Sequence, residues 1–158
     1  MNFGKAYTTF IPILIKAVQL SNGPVLELGA GIFSTPLLHW LCAEENRWLL
    51  TCERNPEYFT WAKKFQSRTH KIKLIGDWDE LKVSTIHWSV IFVDQDIHRD
   101  KIAIAFKDSA DYIVLHDSNM ESHYGYDKVF AHFKYRYDWK YNKPWTTIVS
   151  NFKDLKNL

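Results

Sequence analysis

The chain reads as one α/β domain built on a mainly parallel sheet covered by helices on both faces. Three observations predict this. Short, mainly apolar runs alternate with amphipathic segments along the 158 residues, as strands buried on both faces do when helices connect them. The first run, Val25–Leu28, leads straight into Gly29-Ala30-Gly31 and then into a helical pattern. The runs also end, again and again, beside a carboxylate.

The elements follow in order. Tyr7–Leu20 reads as a helix stopped by Ser21-Asn-Gly-Pro24. Val25–Leu28 is a strand. Ser34–Cys42 is a helix with Thr35 and Pro36 in its first turn, both good starting residues. Arg47–Cys52 is the second strand, and Pro56–Phe65 a helix entered from Asn55, a strong N-cap type. Lys71–Ile75 and Val90–Val93 are the third and fourth strands, Lys101–Phe106 a short helix, and Tyr112–Leu115 the fifth strand. Tyr126–Tyr137 is expected to be helical. Lys140–Asn142 and Thr146–Ser150 are expected to close the sheet as an antiparallel pair. No repeat or low-complexity linker divides the chain. One domain is expected over 1–158, with 1–24 as an N-terminal helix, 25–119 as the binding core and 120–158 as the closing helix and strand pair.

Composition narrows the function classes. Hydrophobic residues make up 46% and charged residues 24%, a globular balance rather than a disordered one. The net charge of +2 argues neither for nor against nucleic acid, and none is expected as a partner. Cys42 and Cys52 cannot form a disulfide framework. The apolar run Phe10–Ile15 is too short to span a bilayer, so no membrane is expected and a cytoplasmic location is the default. Of the seven tryptophans, Trp40, Trp48, Trp61 and Trp88 are expected to pack in or beside the core. Trp139, Tyr141 and Trp145 fall in the closing strand pair.

In an open α/β sheet, ligands bind beyond the carboxyl ends of the strands. Glu53, Asp77, Asp94 and Asp117 stand at or just after the ends of strands two to five, and Glu27 lies inside the first. The glycine turn is where such a sheet holds a nucleotide. Ser34 stands where a pyrophosphate site has its third glycine, and Glu27 would repel phosphate while suiting a cationic ligand. Both disfavour a nicotinamide dinucleotide. Glu53, a little over twenty residues after the turn, can accept both hydroxyls of a ribose.

With these residues in view, "ELGAG" followed by Glu53 resembles motif I and the ribose acid of the class I S-adenosylmethionine-dependent methyltransferases, whose sheet is Rossmann-like and doubly wound. "IGDWDE" resembles the loop after strand three of that family, "VIFVDQD" its motif IV, and "YIVLHDSN" its fifth strand. Small O-methyltransferase-like members are the most similar. The resemblance implies S-adenosylmethionine as cofactor, held by Glu27, Gly29, Ala30, Gly31, Ser34, Glu53, Arg54, Asp77, Trp78 and Asp94. Asp77 would accept the adenine amino group and Trp78 would cover its ring. His116, Asp94 and His98 are the catalytic candidates, the two imidazoles as bases near neutral pH. Some such enzymes hold a divalent cation on the residues matching Asp94, Asp117 and Asn119. Here Ser118 separates the last two, and oxygen ligands alone would suit Mg²⁺, Mn²⁺ or Ca²⁺ over Zn²⁺. Two functions stand as expectations. One is methyl transfer to oxygen or nitrogen of a small molecule or exposed acceptor group. The other is a non-catalytic binding or assembly protein that keeps the fold. With so short a chain the acceptor site is open or is completed by a second subunit, as in a homodimer.

Overall fold

The computed structural model describes residues 7–81, 85–156 and 158. Helix α1 (Ile11–Gln19) leads into β1 (Val25–Leu28), α2 (Ser34–Glu44), β2 (Leu49–Glu53) and α3 (Pro56–Ala62). Then come β3 (His70–Leu74), β4 (Trp88–Val93), α4 (Arg99–Ala105) and β5 (Ala110–Leu115). Two short helices, α5 (Glu121–Tyr124) and α6 (Tyr126–Phe130), precede β6 (Tyr135–Trp139) and β7 (Thr146–Ser150). One seven-stranded sheet forms in the order β3-β2-β1-β4-β5-β7-β6. Strands β1 to β5 are parallel, and β7 lies antiparallel between β5 and β6. The order reverses on either side of β1, which puts the switch point beside the glycine turn.

Successive strand residues point to opposite faces, and the two cores divide accordingly. Leu26, Leu28, Ile91, Val93, Ile113 and Leu115 pack on one face with Ile102 and Ala103 of α4 and Val129 of α6. Val25, Val90, Phe92 and Val114 pack on the other with Ile13, Leu14 and Ala17 of α1 and Leu38 of α2. By the same alternation Glu27 belongs to the second face, and it is 0% exposed. A carboxylate in the middle of a strand thus sits where the sheet would otherwise place an aliphatic side chain.

Local signals account for most element ends. Asn55 caps α3 by accepting from the Glu57 backbone N–H at 2.8 Å. Helix α1 begins at Ile11, later than Tyr7, with Pro12 in its first turn where a missing N–H costs nothing.

The C-terminal region differs from expectation. The helix begun at Tyr126 ends at Phe130, and Tyr135–Tyr137, expected to complete it, belongs to strand β6. Lys140–Asn142 forms the connection to β7 and not the strand itself. Tyr135, Tyr137 and Trp139 pack against the core while Arg136 and Asp138 alternate with them, a period-two pattern of aromatic residues that favour strands. Phe130, Phe133 and Tyr137 also fall at three- and four-residue spacing, so the stretch is compatible with either period. Pairing with β7 decides it, with Tyr137 opposite Ile148. Trp88 is buried and stacks on Trp48 at 5.3 Å, but Trp40, expected to pack, is 66% exposed. It lies on the outward side of α2, beyond the buried stripe of Thr35, Leu38 and Cys42.

Gly29 ends β1 with φ +90, and a Cβ there would lie 2.7 Å from the Asp94 carbonyl oxygen. No side chain fits both that conformation and that approach. Gly29→Ala is therefore expected to lower unfolding free energy by about 2–3 kcal/mol, measured by urea denaturation. A loss below ~0.5 kcal/mol would show that the two loops separate at no cost.

Candidate functional site

The carboxyl ends of β1, β2, β4 and β5 open on a cavity of about 1070 Å³, at the upper limit of the roughly 300–1,000 Å³ usual for small-molecule sites. Towards β2 and β3 its wall is Glu53 to Tyr58, Gly76, Trp78 and Asp96; towards β5 it includes Phe10 and His116. Gly29 to Ser34 form its floor.

Glu53 is 7% exposed and its carboxylate organises the turn. Oε2 accepts from the Ala30 N–H at 2.7 Å, and Oε1 accepts from the N–H groups of Arg54 at 2.7 Å and Asn55 at 2.6 Å. A carboxylate has about four acceptor positions, so the one left open is on Oε2. Expected to take both hydroxyls of a ribose, Glu53 has room here for one without releasing a backbone partner.

Glu27 lies beneath the turn and outside the cavity lining. Thr35 Oγ1 donates to it at 3.0 Å and Thr51 Oγ1 at 2.6 Å. The Ser34 hydroxyl lies near it but outside hydrogen-bond geometry. Burial raises Glu27 from 4.5 to about 7, against the pull of these hydroxyls. Thr51 Oγ1 also lies 2.8 Å from His70 Nε2, and His70 Nδ1 3.1 Å from His39 Nδ1, so the carboxyl heads a chain of polar groups that reaches His39. Thr35 Oγ1 in turn accepts from the Gly31 N–H at 3.0 Å. The glycine turn thus rests on a buried carboxyl rather than presenting it.

On the other side, Trp78 is 1% exposed and borders the cavity, its Nε1–H donating to Asp96 Oδ1 at 2.7 Å. Asp96 also pairs with Arg54. Asp77 does not line the cavity. It caps the short Trp78–Glu80 turn, accepting from the Asp79 N–H at 3.0 Å. His98 also lies outside the lining, 3.5 Å from Asp79 and 4.0 Å from Asp77. The structure therefore separates the two histidines. His116 reaches the cavity; it is 4% exposed, and burial lowers it to about 4 although Asp117 pulls the other way. Its imidazole is neutral at pH 7, with Nδ1 3.4 Å from Thr146 Oγ1.

Arg99 is the residue that sequence reading missed. It is 4% exposed, at the start of α4. Its guanidinium donates to Asp94 Oδ1 at 3.1 Å, Asp117 Oδ2 at 3.2 Å, the His116 carbonyl at 3.1 Å and the Gln95 carbonyl. It lies 3.9 Å from the centre of the Tyr124 ring. Its only signal in the sequence was an arginine opening a helix just after a carboxylate-rich strand end. Burial also raises the Asp94 carboxyl above the usual range, against the pull of Arg99.

This clamp answers the question of a divalent cation. Among the described residues, Asp94, His116 and Asp117 bring ligand atoms within 4.8 Å of one another. Asn119 Oδ1 accepts from the Trp145 N–H at 2.8 Å, 26 residues along the chain. A guanidinium already bridges the two carboxylates. With that guanidinium in place Asp94 and Asp117 do not fit a resident metal; Asp77, Asp79 and His98 form a second, largely exposed group with ligand atoms within 4.8 Å of one another. S-adenosylmethionine fits better. Gly29, Gly31 and Glu53 all line the cavity, and the turn is packed so closely on its neighbours that a Cβ at Gly31 would meet Ser34 Oγ at 2.5 Å.

Arg99→Met is expected to cost about 3–5 kcal/mol by denaturant unfolding, because it leaves two carboxylates unpaired. Glu27 gives a pH signature. Raised from 4.5 to about 7, it favours the fold below pH 4.5, and that contribution is lost as pH rises towards 7. His70 and His116, lowered to about 4, act oppositely, their contribution being lost as pH falls from 6.5. The stability of wild type minus that of Glu27→Gln, measured from pH 4 to 8, is therefore expected to fall with rising pH; a flat difference would refute the buried carboxyl.

No family model matches the chain, and no curated protein matches it in sequence. Solved structures do match its fold. A precorrin-6y C5,15-methyltransferase from Geobacter metallireducens GS-15 superposes with a TM-score of 0.63 at 16% identity, over 94% of this chain and 91% of that one. A spermidine synthase from Thermotoga maritima gives 0.72 at 15% identity, over 98% of this chain, which spans 63% of the synthase chain. The N-terminal domain of human METTL16, solved in complex with S-adenosylhomocysteine, gives 0.65 at 11% identity, over 97% and 73%. No membrane-length apolar helix occurs among the described residues. The chain carries the Rossmann-like fold of the class I S-adenosylmethionine-dependent methyltransferases.

Proposed function

We propose that this chain binds S-adenosylmethionine over the Gly29–Gly31 turn and transfers its methyl group to an acceptor held at the β4–β5 side of the cavity. The single observation that carries the reading is the glycine turn tied to Glu53: Ala30 donates to Glu53 Oε2, and Glu53, with one acceptor position unused, lines a cavity of cofactor size together with Gly29 and Gly31. Complexes of fold relatives with S-adenosylhomocysteine support it.

Bound there, S-adenosylmethionine supplies an activated methyl group on a sulfonium. The chain's own residues do the rest. Glu53 and the turn fix the nucleoside end, Trp78 and Asp96 border it, and Arg54 is held beside it by Asp96. The wall formed by Phe10 and His116 excludes water and aligns the acceptor, and alignment of this kind contributes roughly 7–11 kcal/mol to a two-substrate reaction. His116, neutral and lowered to about 4, is a weak base at pH 7. Asp94 is paired with Arg99. The site therefore suits an acceptor with a ready lone pair, a neutral nitrogen or an already ionised oxygen, over one that must first lose a proton.

Calorimetry tests the reading. Wild type is expected to bind S-adenosylhomocysteine, and Glu53→Ala to weaken binding by about 10–100-fold, the effect of losing charge-assisted hydrogen bonds. Equal affinity in the variant, with its fold intact by circular dichroism, would remove Glu53 from the site. Binding without methyl transfer to an acceptor panel would favour the non-catalytic alternative.

A further inference from the structure

Gln95 follows Asp94 on the cavity wall and is 1% exposed. Among the described residues, neither its side-chain oxygen nor its nitrogen has a hydrogen-bond partner. An amide removed from water without partners is costly, and nearly all such groups in folded proteins are satisfied. The backbone cannot shift to relieve it. The Gln95 carbonyl is held by Arg99, and its N–H lies against Gly29, where an added Cβ would come within 2.9 Å of the Gln95 nitrogen. Only the side chain can turn. The β4–β5 end of the cavity also holds Asp94, paired with Arg99, and two rings, Phe10 and His116, which meet edge-on at 5.1 Å. A carboxamide offers a donor and an acceptor side by side in a single plane, a closer spacing than the two opposed nitrogens of an imidazole.

We propose that Gln95 selects the acceptor, its carboxamide pairing with the adjacent donor and acceptor of an amide edge on a planar ring. The substrate class is a lactam or ring carboxamide, bound flat beside Phe10. This rests on the methyl-transfer reading for the word acceptor, but not for the binding itself. Gln95 is thus a specificity-determining residue. It orients the ring so that a lone pair faces the cofactor, and its pairing energy is realised only with a ligand that presents both groups, which is how a site built to hydrogen-bond rejects an analogue lacking one.

The test uses two probes that differ at one atom, 2-pyridone and N-methyl-2-pyridone, titrated by NMR into the full chain with and without saturating S-adenosylhomocysteine. Wild type is expected to prefer 2-pyridone at least tenfold. Gln95→Leu, close in size and apolar, is expected to erase the preference and to keep or raise the melting temperature, since an unpartnered amide is removed. Equal affinity for the two probes, no binding of 2-pyridone, or an unchanged preference in Gln95→Leu would each overturn the proposal. Should S-adenosylhomocysteine fail to bind wild type, the methyl-transfer reading falls, while the probe preference measured without it still decides the role of Gln95.

Discussion

The Arg99 guanidinium holds the site together. Two parallel strands end side by side at Val93 and Leu115, and each is followed by a carboxylate, Asp94 and Asp117. Without a cation between them these charges would force the loops apart or take up protons. Arg99 donates to both, and to the carbonyls of Gln95 and His116 that flank them. Tyr126 adds a bond to the same His116 carbonyl at 3.0 Å, and Tyr124 covers the guanidinium. A buried ion pair of this kind is weak evidence for net stability. Its consequence is positional: it fixes where Gln95 and His116 stand relative to the glycine turn, and it fills the place a metal would take.

Glu53 and Glu27 show how environment separates chemically equal groups. Glu53 meets backbone N–H groups, which bind it into the turn it supports. Glu27, two strand residues before Gly29, meets only hydroxyls and is sealed from water, so burial dominates. One lies at the cavity edge with an acceptor position open; the other anchors the turn from below through Thr35 and the Gly31 N–H. The two lie on neighbouring strands, and the difference follows from strand alternation, which turns Glu27 into a core and leaves Glu53 at a strand end.

Much of the architecture was legible before any coordinates. Fully apolar four- to six-residue runs, glycine at a strand end and Asn55 before a helix each have one cheap structural solution, and the chain takes it. Tyr135–Trp139 had two, because its aromatic residues satisfy both the helical and the strand period, and the hydrogen bonds of β7 made the choice. Trp40 was misjudged because a large apolar side chain need not be inside; the width of the buried stripe on α2 decides that. In the site, Gly29, Ala30, Gly31, Ser34, Glu53, Arg54, Trp78, Asp94 and His116 all reach one cavity. Glu27, Asp77 and His98 do not line it, and Asn119 is committed to Trp145. Spacing along the chain reports which loops converge, but not which way each side chain turns within its loop.

By itself the sequence determined the sheet, its switch point and the convergence of acidic residues there, because these follow from hydrophobic period and from where glycine is obligatory, both local properties. Only the tertiary structure decided what those acids do. It gave Asp94 and Asp117 to Arg99, placed Glu27 beneath the turn, left Glu53 one acceptor position, and set an unpartnered Gln95 on the cavity wall. Those outcomes depend on which groups meet across strands that are distant in sequence. The partner found there, and the water excluded with it, fix whether a carboxyl is charged, bound or free to act.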